Sequence, residues 1–219
     1  RRSLVELDAG LRGDLSISEP MEQLMHSLYA NRVPGSWENL AWPSLASLGR
    51  WLVDFTDRQR QLAEWTADLN TPRVTVISWL FNPQAFLTAV MQVSARKNEW
   101  ALDRVVTTVD VTKRSPDEIE SATRDGAYIY GLYCDGARWD TNSGSLEDAH
   151  MKDLYPKMPV ILVKATPSDK AESRDLYQCP VYKTQFRGPA YVFTAGLKTK
   201  QPSSKWIMAG VALLMNVVE

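Results

Sequence analysis

Apolar positions in the first hundred residues recur every three or four places, the spacing of a helix face. Met21, Leu24, Met25 and Leu28 share one face, and Ser16 with Glu19 has the S-x-x-E form of a capping box, so a helix is predicted up to "VPGSW". From Ser44, the positions Leu45, Leu48, Leu52 and Phe55, then Leu62, Trp65 and Leu69, predict one long helix that Thr71-Pro72 ends. In "FNPQAFLTAVMQVSARKNEW", Asn82 is the expected N-cap. Pro83 occupies the first helical position, where its missing N–H costs nothing, and Phe86, Val90 and Val93 are the expected buried stripe.

After Trp100 the period shortens to two. In "LDRVVTTVDVT", Val105, Val109 and Val111 share one side, while Arg104, Thr108 and Asp110 share the other. Five further stretches read as strands: "AYIYGLYC", "MPVILVKA", "CPVYKTQFR", "AYVFTAGLK" and "WIMAGVALLMNVV". With no helical crossover expected between them, about six strands imply an antiparallel sheet curled toward a barrel. The predicted class is α+β: a helical half over 1–100 followed by a barrel-like half over 101–219, without an evident linker.

Composition narrows the functional classes. The 219 residues carry 25 Lys+Arg against 26 Asp+Glu, a net charge of −1, with no polyelectrolyte half, and this argues against a nucleic-acid partner. Two cysteines are too few for a disulfide framework, which favours a reducing compartment. The longest apolar run is shorter than a bilayer span, so no membrane partner is expected. The sequence opens without methionine, which points to a fragment of a longer parent.

Candidate chemistry concentrates in "GLYCDGARWD" (131–140). The Gly126/Gly131 and Gly131/Gly136 pairs have phosphate-loop spacing but lack the Lys-Ser/Thr that must follow, so no nucleotide cofactor is expected. Cys134 with His150 could form an activated thiolate, as in a cysteine-dependent hydrolase, although a lone cysteine on an aromatic strand is more often a small buried hydrophobe. His26 and His150 lie in different halves, and metal-ligand spacing is absent. Asp135 and Asp140 could be a carboxylate pair, and eight tryptophans could serve a small-ligand or carbohydrate-binding barrel. Six of them, Trp37, Trp42, Trp51, Trp65, Trp79 and Trp100, instead fall where helices pack. Arg138 and Asp140 are two apart on an extended segment, with Trp139 pointing to the opposite face. The expectation is a structural corner: Gly136 bends, Trp139 fills the core, and Arg138 is held by a carboxylate such as Asp140.

The blocks "NPQAFLTAVMQ" (82–92), "GLYCDGARWD" (131–140), "MPVI" (158–161), "YQCPVYKT" (177–184) with Arg187 beyond, and "KWIMAGVALLMN" (205–216) together resemble the C-terminal domain of a dynein heavy chain. "SARKNEWALD" and "VDVTKR" resemble the axonemal, outer-arm type. The resemblance implies a helical half and a β-barrel half. It also implies a non-catalytic segment of an ATP-driven microtubule motor, located in the axoneme of a cilium or flagellum and docked on the ring of ATPase modules whose output it modulates. ATP and Mg would belong to the parent, and the microtubule would be met only through the parent. No catalytic, cofactor or metal residue is carried over. Asn82, Pro83, Gly136, Arg138, Trp139, Asp140, Pro180 and Tyr182 are expected to be structural-motif positions. Family members usually have a larger apolar or acidic residue where Cys134 stands, which argues against a general thiol function there.

Overall fold

The computed structural model describes residues 1–42, 44, 46–171 and 175–217. The molecule divides into two compact units, Arg1–Arg60 and Gln61–Val217, with the division falling inside one long helix.

The first unit holds α1 (Arg2–Arg12), α2 (Glu19–Tyr29), the short α3 (Gly35–Glu38) and the start of α4 (Leu48–Asp68). Helix α1, which the apolar pattern does not predict, stops at Gly13. There the backbone turns left-handed (φ 85°) and its N–H meets the carbonyls of Ala9 and Gly10. α1 packs on α2 through the buried Leu7, Gly10 and Leu24; a Cβ on Gly10 would lie 3.4 Å from Met21 Sδ. Helix α2 begins later than the S-x-x-E signal implies. Its N-cap is Ser18, with Pro20 in the first turn, and Glu19 is its first residue rather than the closing glutamate of a box.

The α4 stripe is also rotated from its expected position. Trp51 and Arg58 are buried, whereas Leu52 and Phe55 are 44% and 38% exposed; Leu45 lies outside the described residues. Stacking produces this rotation. Trp42 and Trp51 lie 5.2 Å apart at 14°, with Phe55 5.5 Å from Trp51 and Trp37 6.1 Å from it. The ring column therefore selects the buried face of α4.

The second unit is a mixed assembly of ten strands in three sheets among the described residues. β1 (Thr75–Val76), β2 (Val105–Val111), β3 (Ala127–Tyr130) and β7 (Ile161–Pro167) form one sheet in the order β1-β3-β7-β2. β4 (Tyr133–Asp135), β8 (Leu176–Thr184), β9 (Tyr191–Lys198) and β10 (Ala212–Asn216) form a second, ordered β4-β10-β8-β9, and β5 (Ala137–Asp140) pairs with β6 (Ser145–Asp148). Among these residues no sheet closes into a barrel.

Two of the pairings, β1 with β3 and β10 with β8, are parallel rather than antiparallel. Two apolar stretches, each of which reads in the sequence as a single strand, account for much of the difference. "AYIYGLYC" breaks at Gly131 (φ 86°), so β3 and β4 enter different sheets. A Cβ on Gly131 would stand 2.9 Å from Val76 Cγ1. "WIMAGVALLMNVV" is a short helix, α6 (Ser203–Met208), followed by β10; Gly210 (φ 66°) ends the helix as Val211 N–H donates to the Trp206 carbonyl. This helical crossover returns β10 to the far side of β8, parallel to it.

Helix α5 (Pro83–Lys97) is capped as expected: the Asn82 side chain accepts from Ala85 N–H at 3.0 Å, and Pro83 is buried at the first position. Its buried positions are Pro83, Leu87, Ser94 and Ala95, with Phe86 packed on the core, whereas Val93 is 63% exposed. One core joins both large sheets through Ile129, Ile161, Val163, Val181, Leu197 and Leu213. Val109 and Val111 pack against this core, and Val105 joins a smaller cluster with Ala95 and Ala165.

Candidate functional site

Residues 131–148 form a folded corner. After β4 the backbone turns at Gly136 (φ 78°), where a Cβ would stand 3.2 Å from the Ala209 carbonyl oxygen, so glycine answers both the left-handed turn and the close approach. β5 and β6 then form a hairpin that pairs Arg138 with Glu147, Trp139 with Leu146 and Asp140 with Ser145.

Arg138 Nη2 donates to Glu147 Oε2 at 2.5 Å, and its Nη1 lies 3.7 Å from Asp140 Oδ1. Its principal partner is thus the cross-strand glutamate, not the expected Asp140. Asp140 serves mainly the turn: Ser143 N–H donates to Oδ2 at 2.7 Å, and Gly144 N–H donates to its backbone carbonyl. That backbone N–H of Ser143 is the first cause of a lowered Asp140 pKa, with Arg138 a minor one. Trp139 packs against the core beside the fully buried Leu146 and leaves its Nε1 buried without a hydrogen-bond partner.

A second clasp closes the corner from the β8–β9 connection. Arg187, left-handed at φ 51°, donates through Nη2 to Asp135 Oδ2 and to the Gly210 carbonyl, both at 2.7 Å. It therefore ties the end of β4 to the turn between α6 and β10. Its guanidinium also lies 5.9 Å from the ring centre of Tyr182, which meets Tyr191 edge-on at 6.1 Å. Pro180 precedes Tyr182 on β8, and pairing with β10 begins one residue after that proline, at Val181. On the other flank, Lys205 of α6 binds Asp148 of β6 at 2.7 Å. Asn82 and Pro83 serve the start of α5 and take no part in these contacts.

The nominally reactive groups are occupied or sealed. Cys134 and Cys179 are both fully buried, and burial pushes the Cys134 thiol up to about 12 and the Cys179 thiol still higher. A protonated thiol is a poor nucleophile. His150 is exposed and makes no hydrogen bond to Cys134 among the described residues. Cys134 lies on β4 and Cys179 on β8, with β10 between them. Two strand spacings are about 9.5 Å, too far for a disulfide. Buried Tyr177 donates to the Val211 carbonyl at 2.7 Å, and burial raises its pKa to about 12.

Gly126 (φ 84°) lies against β7, and a Cβ there would stand 2.2 Å from the Val163 carbonyl oxygen. The glycine spacing therefore reflects strand packing. Asp135 is engaged by Arg187 and Asp140 by the hairpin turn, so each carboxylate of the candidate pair has a structural partner. Among the described residues no group of three or more His, Cys, Asp or Glu is placed to hold a metal, and no helix is long and apolar enough to cross a membrane. Sequence reasoning missed Glu147 and the Arg187–Asp135 clasp. The first was accessible from the "TNSG" turn, which folds residues 138 and 147 opposite one another.

A family model described as the C-terminal domain of the dynein heavy chain matches residues 1–215. The sequence is 54% identical to a dynein beta chain of the flagellar outer arm from Chlamydomonas reinhardtii, over 100% of its own length and 5% of that relative. It is 50% identical to a ciliary dynein beta chain of Heliocidaris crassispina and 49% identical to human dynein axonemal heavy chain 9, in each case over 99% of its own length and 5% of the relative. It thus spans about one-twentieth of the length of these relatives.

Proposed function

The chain belongs to the family formed by the C-terminal domains of dynein heavy chains, and from that premise we propose that it is the non-catalytic C-terminal module of an axonemal dynein heavy chain. In this reading the parent is an ATP-driven microtubule motor of the ciliary or flagellar axoneme. The module docks on the parent's ring of ATPase modules and modulates its output. ATP and Mg are bound by the parent, and the microtubule is reached only through it.

The observation that carries this reading is identity of 49–54% to flagellar outer-arm, ciliary and axonemal chains across 99–100% of the sequence. The corner geometry fits it: Arg138 is paired with Glu147 and Arg187 with Asp135, Ser143 N–H donates to Asp140, and the thiols are buried in the core. A body that touches moving modules changes their populations only if it contacts their states with different free energies. The test is a cryo-electron microscopy comparison of the intact heavy chain in ATP-bound and nucleotide-free states. Residues 1–219 packed on the ring, with contacts that differ between the states, are the expected result. A module hanging free of the ring in both states refutes the reading.

A further inference from the structure

The chain contains two Asp-Gly steps, Asp125–Gly126 and Asp135–Gly136. Such a step is chemically labile, because the glycine nitrogen has no Cβ beside it to hinder its approach to the preceding side-chain carboxyl carbon. When it attacks, an N–C bond forms and the hydroxyl of the protonated carboxyl leaves as water with the nitrogen's proton. A cyclic imide results. Water then opens the imide at either carbonyl, returning aspartate or leaving isoaspartate, in which the main chain runs through the side-chain carbon. One water is released and one consumed, so no other reactant is needed.

The fold requires both glycines. Gly126 and Gly136 have φ of 84° and 78°, and a Cβ would stand 2.2 Å from the Val163 carbonyl oxygen and 3.2 Å from that of Ala209. Each aspartate is instead held by a side chain from a distant element. Arg187 Nη2 donates to Asp135 Oδ2 at 2.7 Å, and Ser94 Oγ, buried on α5, donates to Asp125 Oδ1 at 2.5 Å. Asp135 is also the last residue of β4, paired with Ala212 of β10, so its side chain stands out from the strand rather than along it. Ring closure demands that the carboxyl swing back over the following nitrogen, and neither aspartate can do this while its donor holds it. Water reaches the second step, where Gly136 is exposed and Asp135 is half-buried.

We propose that Asp125–Gly126 and Asp135–Gly136 are latent isoaspartate sites, which Ser94 and Arg187 respectively keep closed in the folded protein. Isoaspartate at 135 would lengthen the main chain by one atom at the end of β4 and take the carboxylate away from Arg187, opening the clasp on the Gly136 corner. The two sites are guarded separately, since Ser94 lies on α5 and Arg187 in the β8–β9 connection.

The test ages the full-length chain at neutral pH as wild type, Arg187→Ala and Ser94→Ala, beside wild type unfolded in urea. Protein isoaspartyl methyltransferase with a labelled methyl donor marks isoaspartate, and peptide mapping assigns the label to 125 or 135. Both positions should be labelled in the unfolded chain, and neither in native wild type over the same period. Arg187→Ala should raise labelling at 135 about tenfold or more, the factor that accompanies loss of one charge-assisted hydrogen bond, and leave 125 unchanged. Ser94→Ala should do the reverse. Where alanine at φ 51° prevents folding, Arg187→Gly replaces it, because glycine suits that backbone, and the same rise at 135 alone is expected. Native wild type labelled as fast as the unfolded chain overturns the proposal. So does a variant that leaves its own site at the wild-type level, or one that raises both sites together, which would report general unfolding rather than a guarded step.

Discussion

Arg187 Nη2 and Asp135 Oδ2 lie 2.7 Å apart, joining residues 52 positions apart in sequence. The same nitrogen donates to the Gly210 carbonyl, so one side group holds the β4 end and the α6–β10 turn together. Both partners are about one-third exposed, at 36% and 29%, which moderates the energy.

Replacing Arg187 with Ala should therefore destabilise the domain by about 1–2 kcal/mol, the range for hydrogen bonds to a charged group after screening. Asp135→Asn should cost less, because the bond to the Gly210 carbonyl survives. Urea denaturation of the three proteins checks the order. A cost for Asp135→Asn equal to or larger than that for Arg187→Ala would contradict the two-acceptor clasp.

Trp139 is packed on the core, yet its indole N–H has no acceptor. Trp139→Ala should cost about 3 kcal/mol through the cavity it leaves. Trp139→Phe should cost under about 1.5 kcal/mol, since it keeps most of the ring and removes the unpaired donor. Guanidinium melts distinguish this packing function from a contact function, in which both variants would melt like wild type.

The buried thiols give a pH signature with a definite sign. Cys134 is raised to about 12, Cys179 shifts the same way, and an unfolded thiol titrates near 8.5. Between those values the folded protein keeps protons that the unfolded state releases, so the thiols' contribution is complete below about pH 8.5 and declines as pH rises toward the folded pKa. Tyr177, raised to about 12, acts in the same direction. Unfolding midpoints at pH 8 and pH 10.5 should fall more steeply for wild type than for the Cys134→Ala/Cys179→Ala double variant. Equal slopes would show that neither thiol is sealed.

Helix and strand order were largely legible in the sequence because periodicity is local, and Asn82-Pro83 marked the start of α5 for the same reason. The pattern failed where a distant group decides. Leu52 and Phe55 have helical spacing, but the Trp37–Trp51–Trp42 column turns α4 so that Arg58 goes inside. Gly131 and Gly210 each divide an apolar run that periodicity reads as one strand, and only the packing of Val76 or the end of α6 reveals the break. The Gly136 bend and the Trp139 side of β5 could be anticipated from two-residue alternation. Glu147 required the hairpin register, and Arg187 required the tertiary fold.

The central claim is that this module acts on the motor by contact with its ring. Single-molecule motility of the full-length axonemal heavy chain, with and without residues 1–219, tests it most directly when ATPase rate is measured on the same preparations. A coupling of only about 1 kcal/mol changes state populations about fivefold. The truncated motor should therefore keep its nucleotide binding but change in ATPase coupling, run length or stall force. A truncated motor that is correctly folded and matches the intact one in ATPase rate, velocity, run length and stall force would contradict the account.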